Sequence, residues 1–298
     1  MNTVITGISG FVGQNLSAFL RKEDFTVNGL SLRNSWEFPQ NTDAIIHLAG
    51  KAHDTSNTSD AEEYFRVNKG LTITLFNQFL QSDAASFFYF SSVKASADTV
   101  ENVLDENNIP NPQTPYGKSK LEAEQYLLSQ ELPSEKKVFI IRPCMVHGRG
   151  NKGNLNLLYN IVEKGIPWPL ASFKNERSFL SIDNLNFLIF EMLQKHKNLE
   201  SGIYNFADDQ ALSTNDLISL ISKTTGRKQK FLKISPSLIK TVAKLGDFLP
   251  LPLNSERLKK LTESYVVSNL KIKKALGIEK LPLTAQQGLE ITIKSFKK

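Results

Sequence analysis

The sequence predicts an α/β protein in which a doubly wound parallel sheet is joined by a smaller α/β lobe toward the C-terminus. Short, almost wholly apolar segments alternate with longer amphipathic ones through the first half of the chain. Such strands are typical of a parallel sheet covered by helices on both faces. After about Arg149 the alternation fades, and several prolines interrupt it.

The predicted elements follow this alternation. Strands are expected at 3–6, 25–32, 44–48, 87–91 and 138–142, and helices at 11–21, 62–81 and 116–130. The spacing suits right-handed crossovers between parallel strands. We therefore assign 1–150 to the sheet domain, completed by about 179–207, and 151–298 mainly to the second lobe.

Composition restricts the partners of the chain. Its 298 residues are 40% hydrophobic and 22% charged, which is ordinary for a globular protein. A net charge of +6 is compatible with nucleic-acid binding, but the lysines are scattered and several stand beside acidic residues. We interpret the charge as a solvated surface and expect no nucleic-acid partner.

The sequence shows no sign of export, membrane insertion or metal binding. No apolar run approaches the roughly 18 residues of a membrane span, so no membrane partner is expected. No basic region precedes the apolar stretch that begins at Met1, which argues against a signal peptide. A single cysteine, Cys144, cannot form an internal disulfide and favours a cytoplasmic location. The four histidines are not at zinc-ligand spacings, so no metal site is expected.

A glycine-rich turn, TGISGFVG, lies where the first predicted strand ends and the first helix begins. A bound pyrophosphate needs free backbone N–H groups and the positive end of a helix dipole. Glycines allow the tight turn, the close approach of the ligand and the packing of helix on strand. The residues assigned to this contact are Gly7, Gly10, Phe11, Val12 and Gly13. The turn predicts a dinucleotide site, with a purely structural glycine turn as the alternative.

The Gly-x-x-Gly-x-x-Gly spacing resembles that of the extended short-chain dehydrogenase/reductase family, of the NAD-dependent epimerase/dehydratase type. The resemblance runs through most of the chain, to about Gly288. It is carried by DAIIHLAG at 43–50, VNKG at 67–70, FYFSS at 88–92, YGKSK at 116–120 and IIRPCMVHG at 140–148. It implies a Rossmann fold with a nicotinamide cofactor along the glycine turn.

The end of the second predicted strand distinguishes the two nicotinamide cofactors. An acidic side chain there binds the ribose 2′-OH of NAD and would repel a 2′-phosphate. Ser31 and Arg33 occupy this place, and a hydroxyl beside a guanidinium suits phosphate. NADP(H) is therefore favoured and NAD(H) stays open. The alternative is that Arg33 points into solvent.

Tyr116 and Lys120 are spaced one helical turn apart. Reduction of a ketone by hydride needs a proton donor at the developing alkoxide, and a phenol with a pKa of about 10 is a poor partner at neutral pH. An ammonium group at i+4 favours the phenolate. No other tyrosine in the chain has a lysine at this spacing. The two residues are the candidate catalytic pair, and a packed tyrosine beside a surface lysine is the alternative.

The resemblance implies further site residues. Ser92, with Ser91 as the fallback, would hydrogen-bond the substrate oxygen, and Lys120 would also hold the nicotinamide ribose. The cofactor groove would be lined or supported by Leu48, Ala49, Gly50, Asn68, Pro143 and Val146. Val93 and Lys94 follow Ser92, where sugar-nucleotide dehydratases carry an Asp-Glu pair that removes and delivers protons. A dehydratase is therefore disfavoured.

The second half of the chain resembles bacterial polysaccharide-pathway enzymes, at 150–158, 165–167 and 175–184. That subgroup includes UDP-sugar 4-epimerases and the 4-keto reductases that make UDP-N-acetyl-quinovosamine. The SSVK stretch at 91–94 favours the reductases. By this resemblance the residues that bind substrate are Ser92, Tyr116, Lys152, Asn154 and Arg177. Arg177 would bind the diphosphate, unless it is an ordinary surface ion-pair partner.

Together these observations predict an NAD(P)H-dependent reductase of the 4-keto group of a UDP-linked, N-acetylated 6-deoxy hexose in surface polysaccharide biosynthesis. The alternatives are a UDP-sugar 4-epimerase that retains NAD and a non-catalytic NAD(P)-binding sensor. His147 and Ser268 depart from the tyrosine and aspartate common in the subgroup. The family also suggests a homodimer through the helices at 62–81 and 116–130.

Overall fold

The computed structural model describes residues 1–52, 60–151, 154–249 and 253–296. Its strands are β1 (Asn2–Thr6), β2 (Thr26–Leu30), β3 (Ala44–His47), β4 (Ser86–Phe90), β5 (Val103–Leu104), β6 (Lys137–Pro143), β7 (Met145–His147), β8 (Phe179–Ser181), β9 (Gly202–Phe206) and β10 (Val266–Val267). Its helices are α1 (Phe11–Lys22), α2 (Ala61–Tyr64), α3 (Leu71–Gln81), α4 (Pro115–Ser129), α5 (Asn154–Glu163), α6 (Ile182–Lys195), α7 (Thr214–Thr225), α8 (Pro236–Leu245), α9 (Ser255–Thr262), α10 (Leu270–Leu276) and α11 (Ala285–Lys294). A π-helical stretch, Phe65–Gly70, joins α2 to α3, and a 3-10 turn, Val93–Ala95, follows β4.

Six strands form one parallel sheet in the order β2-β1-β3-β4-β6-β9. The chain leaves β1 for β2 on one side and then crosses to β3 on the other, so β1 lies at a topological switch point. Ligands of open α/β sheets bind in the crevice at the carboxyl ends of the strands beside such a point. The predicted doubly wound α/β fold is confirmed.

Alternate residues of the sheet enter two different apolar layers. Phe88 of β4 packs in a core that contains Leu16 of α1 and Leu185 of α6. Phe87 and Tyr89 of the same strand pack in a second core with residues of α3 and α4. Successive side chains of a strand point to opposite faces, so helices on both faces explain why β4 is apolar at nearly every position.

A third apolar cluster lies in the C-terminal part of the chain. It joins α5, α7, α8, α9 and α11 around the buried Trp168. Between these helices the chain returns to the main sheet, because β9 pairs with β6 and α6 packs against α1. The sheet domain and the C-terminal lobe therefore interleave along the sequence. None of the helices described is long and apolar enough to cross a membrane.

Two predicted elements differ from the structure by more than one residue at an end or by an interruption. The helix expected at 62–81 is interrupted by the π-helical stretch, whose wider turn holds the fully buried Asn68 in hydrogen bonds to neighbouring elements. The second strand ends at Leu30 instead of residue 32. Its partner β1 ends at Thr6, directly opposite Leu30, where the glycine turn begins.

Candidate active site

The glycine turn has the geometry of a phosphate-binding loop. Gly7 has a φ of +68°, and a Cβ there would lie 2.7 Å from the backbone nitrogen of Ala49. A Cβ on Gly13 would lie 2.4 Å from the carbonyl oxygen of Gly7. α1 begins after Gly10, which supplies no side-chain cap, so the first helical N–H groups remain for an external acceptor. Those groups belong to Phe11, Val12 and Gly13. The loop therefore fits a dinucleotide with its pyrophosphate at this helix terminus.

A chain of buried hydrogen bonds holds the loop after β3 against the glycine turn. The Thr6 hydroxyl accepts from the Ala49 N–H (3.1 Å) and donates to His47 Nδ1 (2.7 Å). Because the Thr72 hydroxyl donates to the carbonyl of Asn68 (2.8 Å), it accepts from His47 Nε2 (2.9 Å). Burial lowers the pKa of His47 to about 3. The neutral imidazole thus positions the loop and does not titrate near neutral pH.

Asn68 connects the same loop to α4. Its Oδ1 accepts from the Lys51 N–H (2.8 Å), and its Nδ2 donates to the Ser119 hydroxyl (3.2 Å). A Cβ on Gly50 would lie 3.0 Å from Asn68 Oδ1 and 3.2 Å from Lys120 Nζ. Asn68 and Gly50 therefore border Lys120, and a side chain at position 50 would crowd both Asn68 and Lys120.

The first two turns of α4 carry Tyr116 and Lys120. The hydroxyl of Thr114 caps the helix, and proline occupies its first position, which explains why the helix begins here. Lys120 Nζ donates to the carbonyl of Phe90 (2.8 Å) and lies 4.9 Å from the centre of the Tyr89 ring. Burial lowers the pKa of Lys120 to about 8. The amine is thereby held at the carboxyl end of β4.

The two serines that follow β4 have different partners. The hydroxyl of Ser92 is hydrogen-bonded to Tyr116 and also caps the 3-10 turn. The hydroxyl of Ser91 donates to Glu124 in the protein interior. The structure therefore brings Ser92, Tyr116 and Lys120 to one place and turns Ser91 away from it.

The electrostatics of Tyr116 differ from the expectation. The i, i+4 spacing predicts that Lys120 favours the phenolate, but burial raises the pKa of Tyr116, and the hydrogen bond with Ser92 opposes this rise only in part. The expected lowering is corrected to a rise, because the cost of burying a charged phenolate dominates. The raised pKa favours the protonated form of the hydroxyl.

A buried ion pair lies one turn further along α4. Arg142 Nε donates to both carboxylate oxygens of Glu124, at 3.0 and 3.2 Å, and Arg142 Nη2 adds a further bond. Both side chains are about 1% exposed. Glu124 raises the pKa of Lys120, against the larger effect of burial. The pair joins α4 to β6 directly beneath the candidate catalytic residues.

Ser31 and Arg33 follow the carboxyl end of β2, and both are exposed. The Arg33 N–H lies 3.5 Å from the Ser31 hydroxyl oxygen. A Cβ on Gly29 would lie 2.8 Å from the side chain of Ile8, so the end of β2 lies against the glycine turn. Ser31 and Arg33 thus follow a strand end that lies against the glycine turn.

The segment after β6 continues from the strand next to β4. Pro143 ends β6, and the carbonyl of Val146 accepts from Asn151 Nδ2 (3.0 Å). Because parallel neighbours end at one edge of a sheet, these residues lie on the same edge as Ser92. His147 is buried, with Nδ1 2.8 Å from the Thr292 hydroxyl, so it serves the packing of α11 against β7.

A cationic pair lies on the C-terminal side of this edge. The Arg177 guanidinium is half-buried and donates to the carbonyl of Lys260 on α9. Lys94 donates to the carbonyl of Asp98 (2.7 Å), and its Nζ lies 4.2 Å from the centre of the Tyr265 ring. Burial lowers the pKa of Lys94, and Arg177 contributes to the lowering. Two cations therefore share one poorly solvated region.

No sequence pattern predicted a role at the site for two tyrosines, Tyr64 and Tyr265. The Tyr64 ring meets Tyr116 edge to face, with 5.9 Å between the centres, and the Tyr265 hydroxyl donates to the carbonyl of Ala97 (2.7 Å), 168 residues earlier.

Of the expected residues, Lys152 lies outside the described part of the chain. Asn154 begins α5, but its side chain also lies outside the described part. No three His, Cys, Asp or Glu side chains of the described residues are grouped as metal ligands.

Residues 3–207 match the model of the NAD dependent epimerase/dehydratase family. The match spans more than half of the chain, which belongs to this family. The resemblance recognised in the sequence is confirmed, and the relatives that match include sugar-nucleotide epimerases and reductases, the predicted class of enzyme.

Curated relatives include both epimerases and reductases. A UDP-glucose 4-epimerase of Vibrio cholerae is 29% identical over 98% of this chain and 94% of its own. An N-acetyl-alpha-D-glucosaminyl-diphospho-ditrans,octacis-undecaprenol 4-epimerase of Escherichia coli O157:H7 is 25% identical over the same shares. A UDP-2-acetamido-2,6-beta-L-arabino-hexul-4-ose reductase of Pseudomonas aeruginosa is 28% identical over 62% of this chain and 47% of its own.

Solved structures share the fold over nearly the whole chain. The UDP-N-acetylglucosamine 4-epimerase from Bacillus cereus has a TM-score of 0.77 at 18% identity and covers 100% of both chains. The structure of RMD from Pseudomonas aeruginosa complexed with NADPH has a TM-score of 0.74 at 20% identity, over 99% of this chain and 98% of that one. At these identities the likeness establishes the fold alone.

Proposed function

We propose that the protein reduces the 4-keto group of a UDP-linked, N-acetylated 6-deoxy hexose with NAD(P)H, in surface polysaccharide biosynthesis. The observation that carries this proposal is the meeting of Ser92, Tyr116 and Lys120 at the sheet edge that also bears the glycine turn. A proton donor beside a dinucleotide cradle is the arrangement that carbonyl reduction requires.

The cofactor would lie along the switch point of the sheet. Its pyrophosphate would contact the glycine turn, and its nicotinamide half would extend past the 48–50 loop toward Lys120 and the 143–146 segment. When bound, NAD(P)H supplies the hydride that the carbonyl carbon accepts. The residues around Lys120 hold its amine where a ribose hydroxyl could meet it.

The residues of the protein would supply the proton that the carbonyl oxygen takes up. Tyr116 donates its hydroxyl proton to the carbonyl oxygen, and Ser92 hydrogen-bonds the same oxygen while the alcohol forms. Lys120 stabilises the phenolate left behind, because its positive charge lies on the same helix one turn away. Solvent then returns the proton to Tyr116. The carbonyl is reduced to the alcohol, and the cofactor leaves oxidised.

Reduction fits these residues better than epimerisation. Epimerisation begins with removal of a proton from the sugar hydroxyl, which needs a deprotonated Tyr116, whereas burial raises the pKa of this residue and keeps the proton on it. The absence of a carboxylate at Ser31 and the exposed Arg33 suit the 2′-phosphate of NADPH. A cofactor drawn from the NADPH pool is consumed, as reduction requires.

The 4-epimerase remains the second candidate function. It is favoured by the two relatives that align with 98% of the chain, both of which are named 4-epimerases. In either function the half-buried cations of Arg177 and Lys94 would receive the diphosphate of the substrate. Homodimerisation through the face of α3 and α4 stays a prediction from the family.

One pair of assays separates the two functions. The first incubates the protein with UDP-N-acetylglucosamine, UDP-glucose or undecaprenyl-diphosphate N-acetylglucosamine without added cofactor and analyses the sugar for the 4-epimer. The second follows NADPH oxidation with the 4-keto-6-deoxy derivative of UDP-N-acetylglucosamine. We expect oxidation of NADPH and no epimer. Formation of the epimer, without NADPH oxidation, would establish the epimerase instead.

Cofactor choice has its own test. The Arg33→Ala variant should lower the ratio of NADPH to NADH efficiency about tenfold, since a charge-assisted hydrogen bond to phosphate is lost. Lys22→Ala, at the exposed end of α1, is the matched control and should leave the ratio unchanged. Equal ratios in wild type and Arg33→Ala would mean that the guanidinium does not contact the cofactor.

A further inference from the structure

The C-terminal lobe exposes an unusual amount of apolar surface around α8. Seven of the thirteen large hydrophobic side chains that are exposed in the described residues lie between residues 231 and 249. They are Phe231, Leu232, Leu238, Val242, Leu245, Phe248 and Leu249. We call the region spanning residues 227–249 the α8 surface. The exposed apolar side chains of this region lie within one short stretch of the chain, whereas those of an ordinary surface are scattered.

The apolar exposure follows from the helical geometry. Leu238, Val242 and Leu245 are spaced four and three residues apart, so they share one face of the helix. A second face, roughly 110° further around the helix, carries Ile239 and Ala243, which are buried in the core of the lobe. α8 is therefore apolar on two sides and buries only one. The exposed apolar face is therefore available to a second apolar environment.

The same region carries most of the net charge of the protein. Residues 227–249 contain six basic residues and one acidic residue, a net charge of +5 out of +6 for the whole chain. The basic residues are Arg227, Lys228, Lys230, Lys233, Lys240 and Lys244, and all are exposed. Arg227 pairs with Glu163, and the remaining five are lysines that no described ion pair neutralises. Six of the 36 basic residues of the chain are thus concentrated in this one region.

We propose that the α8 surface binds the protein to an anionic phospholipid bilayer, with its leucine and phenylalanine side chains inserted at the headgroup boundary. Apolar side chains flanked by lysines are what an interfacial helix needs, since the chains enter the boundary while the ammonium groups meet lipid phosphates. No membrane span is required for this mode. The expectation of no membrane partner rested on the lack of a span and did not consider an interfacial surface.

Charge argues against a second copy of the chain as the occupant. A two-fold dimer through the α8 surface would place the same patch on both sides of the interface. The +5 charge of one copy would then face the +5 charge of the other. Like charges at close range oppose association, whereas an anionic bilayer neutralises them. The bilayer is the complementary partner.

α9 connects the α8 surface to Arg177 of the candidate active site. The carboxylate of Asp247 accepts two hydrogen bonds from Ser255 at the start of α9 (2.9 and 2.6 Å), and Arg177 donates to the carbonyl of Lys260 at the other end of that helix. Bilayer binding at α8 would thus hold the candidate active site close to the membrane. The inference does not rest on the proposed reaction, because none of the α8 residues belongs to the candidate active site.

Flotation of the full chain with lipid vesicles tests the inference. The probes are vesicles of phosphatidylcholine with about 30% phosphatidylglycerol, and vesicles of phosphatidylcholine alone. We expect binding to the anionic vesicles that weakens as salt rises from about 0.1 M to about 0.5 M. The Leu245→Ser/Phe248→Ser variant should weaken binding at least tenfold, because two apolar side chains no longer enter the bilayer. The Lys240→Gln/Lys244→Gln variant should weaken it on the order of tenfold to thirtyfold.

Matched controls keep the test independent of folding. Ile109→Ser/Leu270→Ser and Lys22→Gln/Lys280→Gln make the same changes at exposed sites outside the α8 surface and should bind like wild type. Thermal unfolding confirms that each variant is folded. The proposal is overturned if wild type does not float, if both vesicles bind equally, or if the control variants lose as much binding. It is also overturned if light scattering shows a dimer that Leu245→Ser/Phe248→Ser dissociates.

Discussion

The candidate active site and the α8 surface depart from the usual distribution of residues in opposite ways. At the site, polar and charged groups such as His47, Lys120 and Glu124 are buried, and each has a hydrogen-bond partner. On the α8 surface, Leu245 and Phe248 are exposed among lysines. Buried charged groups and exposed apolar groups are both unfavourable for folding alone. The comparison therefore indicates that each of these two regions is kept for a function. Substitutions can now test the two regions separately.

The largest effect is expected at Tyr116. Tyr116→Phe should lower kcat by about 10²–10⁴-fold, because the proton donor is removed, while cofactor affinity and vesicle binding stay as in wild type. Tyr126→Phe is the control on the same helix, where the hydroxyl donates to Asn77 Oδ1 at an exposed site (2.8 Å). Steady-state kinetics and titration of cofactor fluorescence measure both properties. Equal activity in the two variants would support a non-catalytic sensor.

The buried ion pair should dominate the stability of the site region. Glu124→Gln should reduce the free energy of unfolding by about 3–5 kcal/mol, because Arg142 then keeps an uncompensated charge in the interior. Glu122→Gln, two residues earlier, removes an exposed partner of Lys69 and should cost less than about 1 kcal/mol. Urea unfolding compares the two. Similar losses would show that burial of the pair adds little.

The buried His47 should make stability depend on pH. Its pKa of about 3 lies below the unfolded value of 6.5, so the unfolded chain binds its proton first as the pH falls. Its contribution to stability is full above pH 6.5 and is lost progressively toward pH 3. From pH 6.5 to 5 the loss is about 2 kcal/mol. Urea unfolding at both pH values should give a flatter profile for His47→Gln, and an unchanged slope would contradict the assignment.

The smallest effect compares two glycines with the same backbone conformation. Gly7 and Gly277 have φ values of +68° and +70°, so the backbone conformation by itself makes alanine cost about 1–2 kcal/mol of stability at either position. Only at Gly7 would the new Cβ meet neighbouring backbone, at 2.7 Å from the Ala49 nitrogen. Gly7→Ala alone should therefore raise the Kd for NADPH about tenfold, as measured by calorimetry. Equal Kd values in both variants would mean that the glycine turn does not bind the cofactor.

Short-range patterns predicted the sheet side of the molecule well. The strand–turn–helix order around Gly7 and the i, i+4 spacing of Tyr116 and Lys120 are local properties, and the structure keeps both. The electrostatics were not local. The rise in the pKa of Tyr116 comes from burial, and the partner of Ser91 is Glu124, which is more than thirty residues away along the chain.

The amino-acid sequence by itself determined the α/β fold class, the family and the glycine turn, because hydrophobic periodicity and backbone freedom act over a few residues. Only the tertiary structure decided which polar groups meet at the sheet edge and that Tyr265 returns to Ala97. It also decided which face of α8 stays outside. Those contacts join residues far apart in the chain, and burial is a property of the packed molecule that no single segment contains.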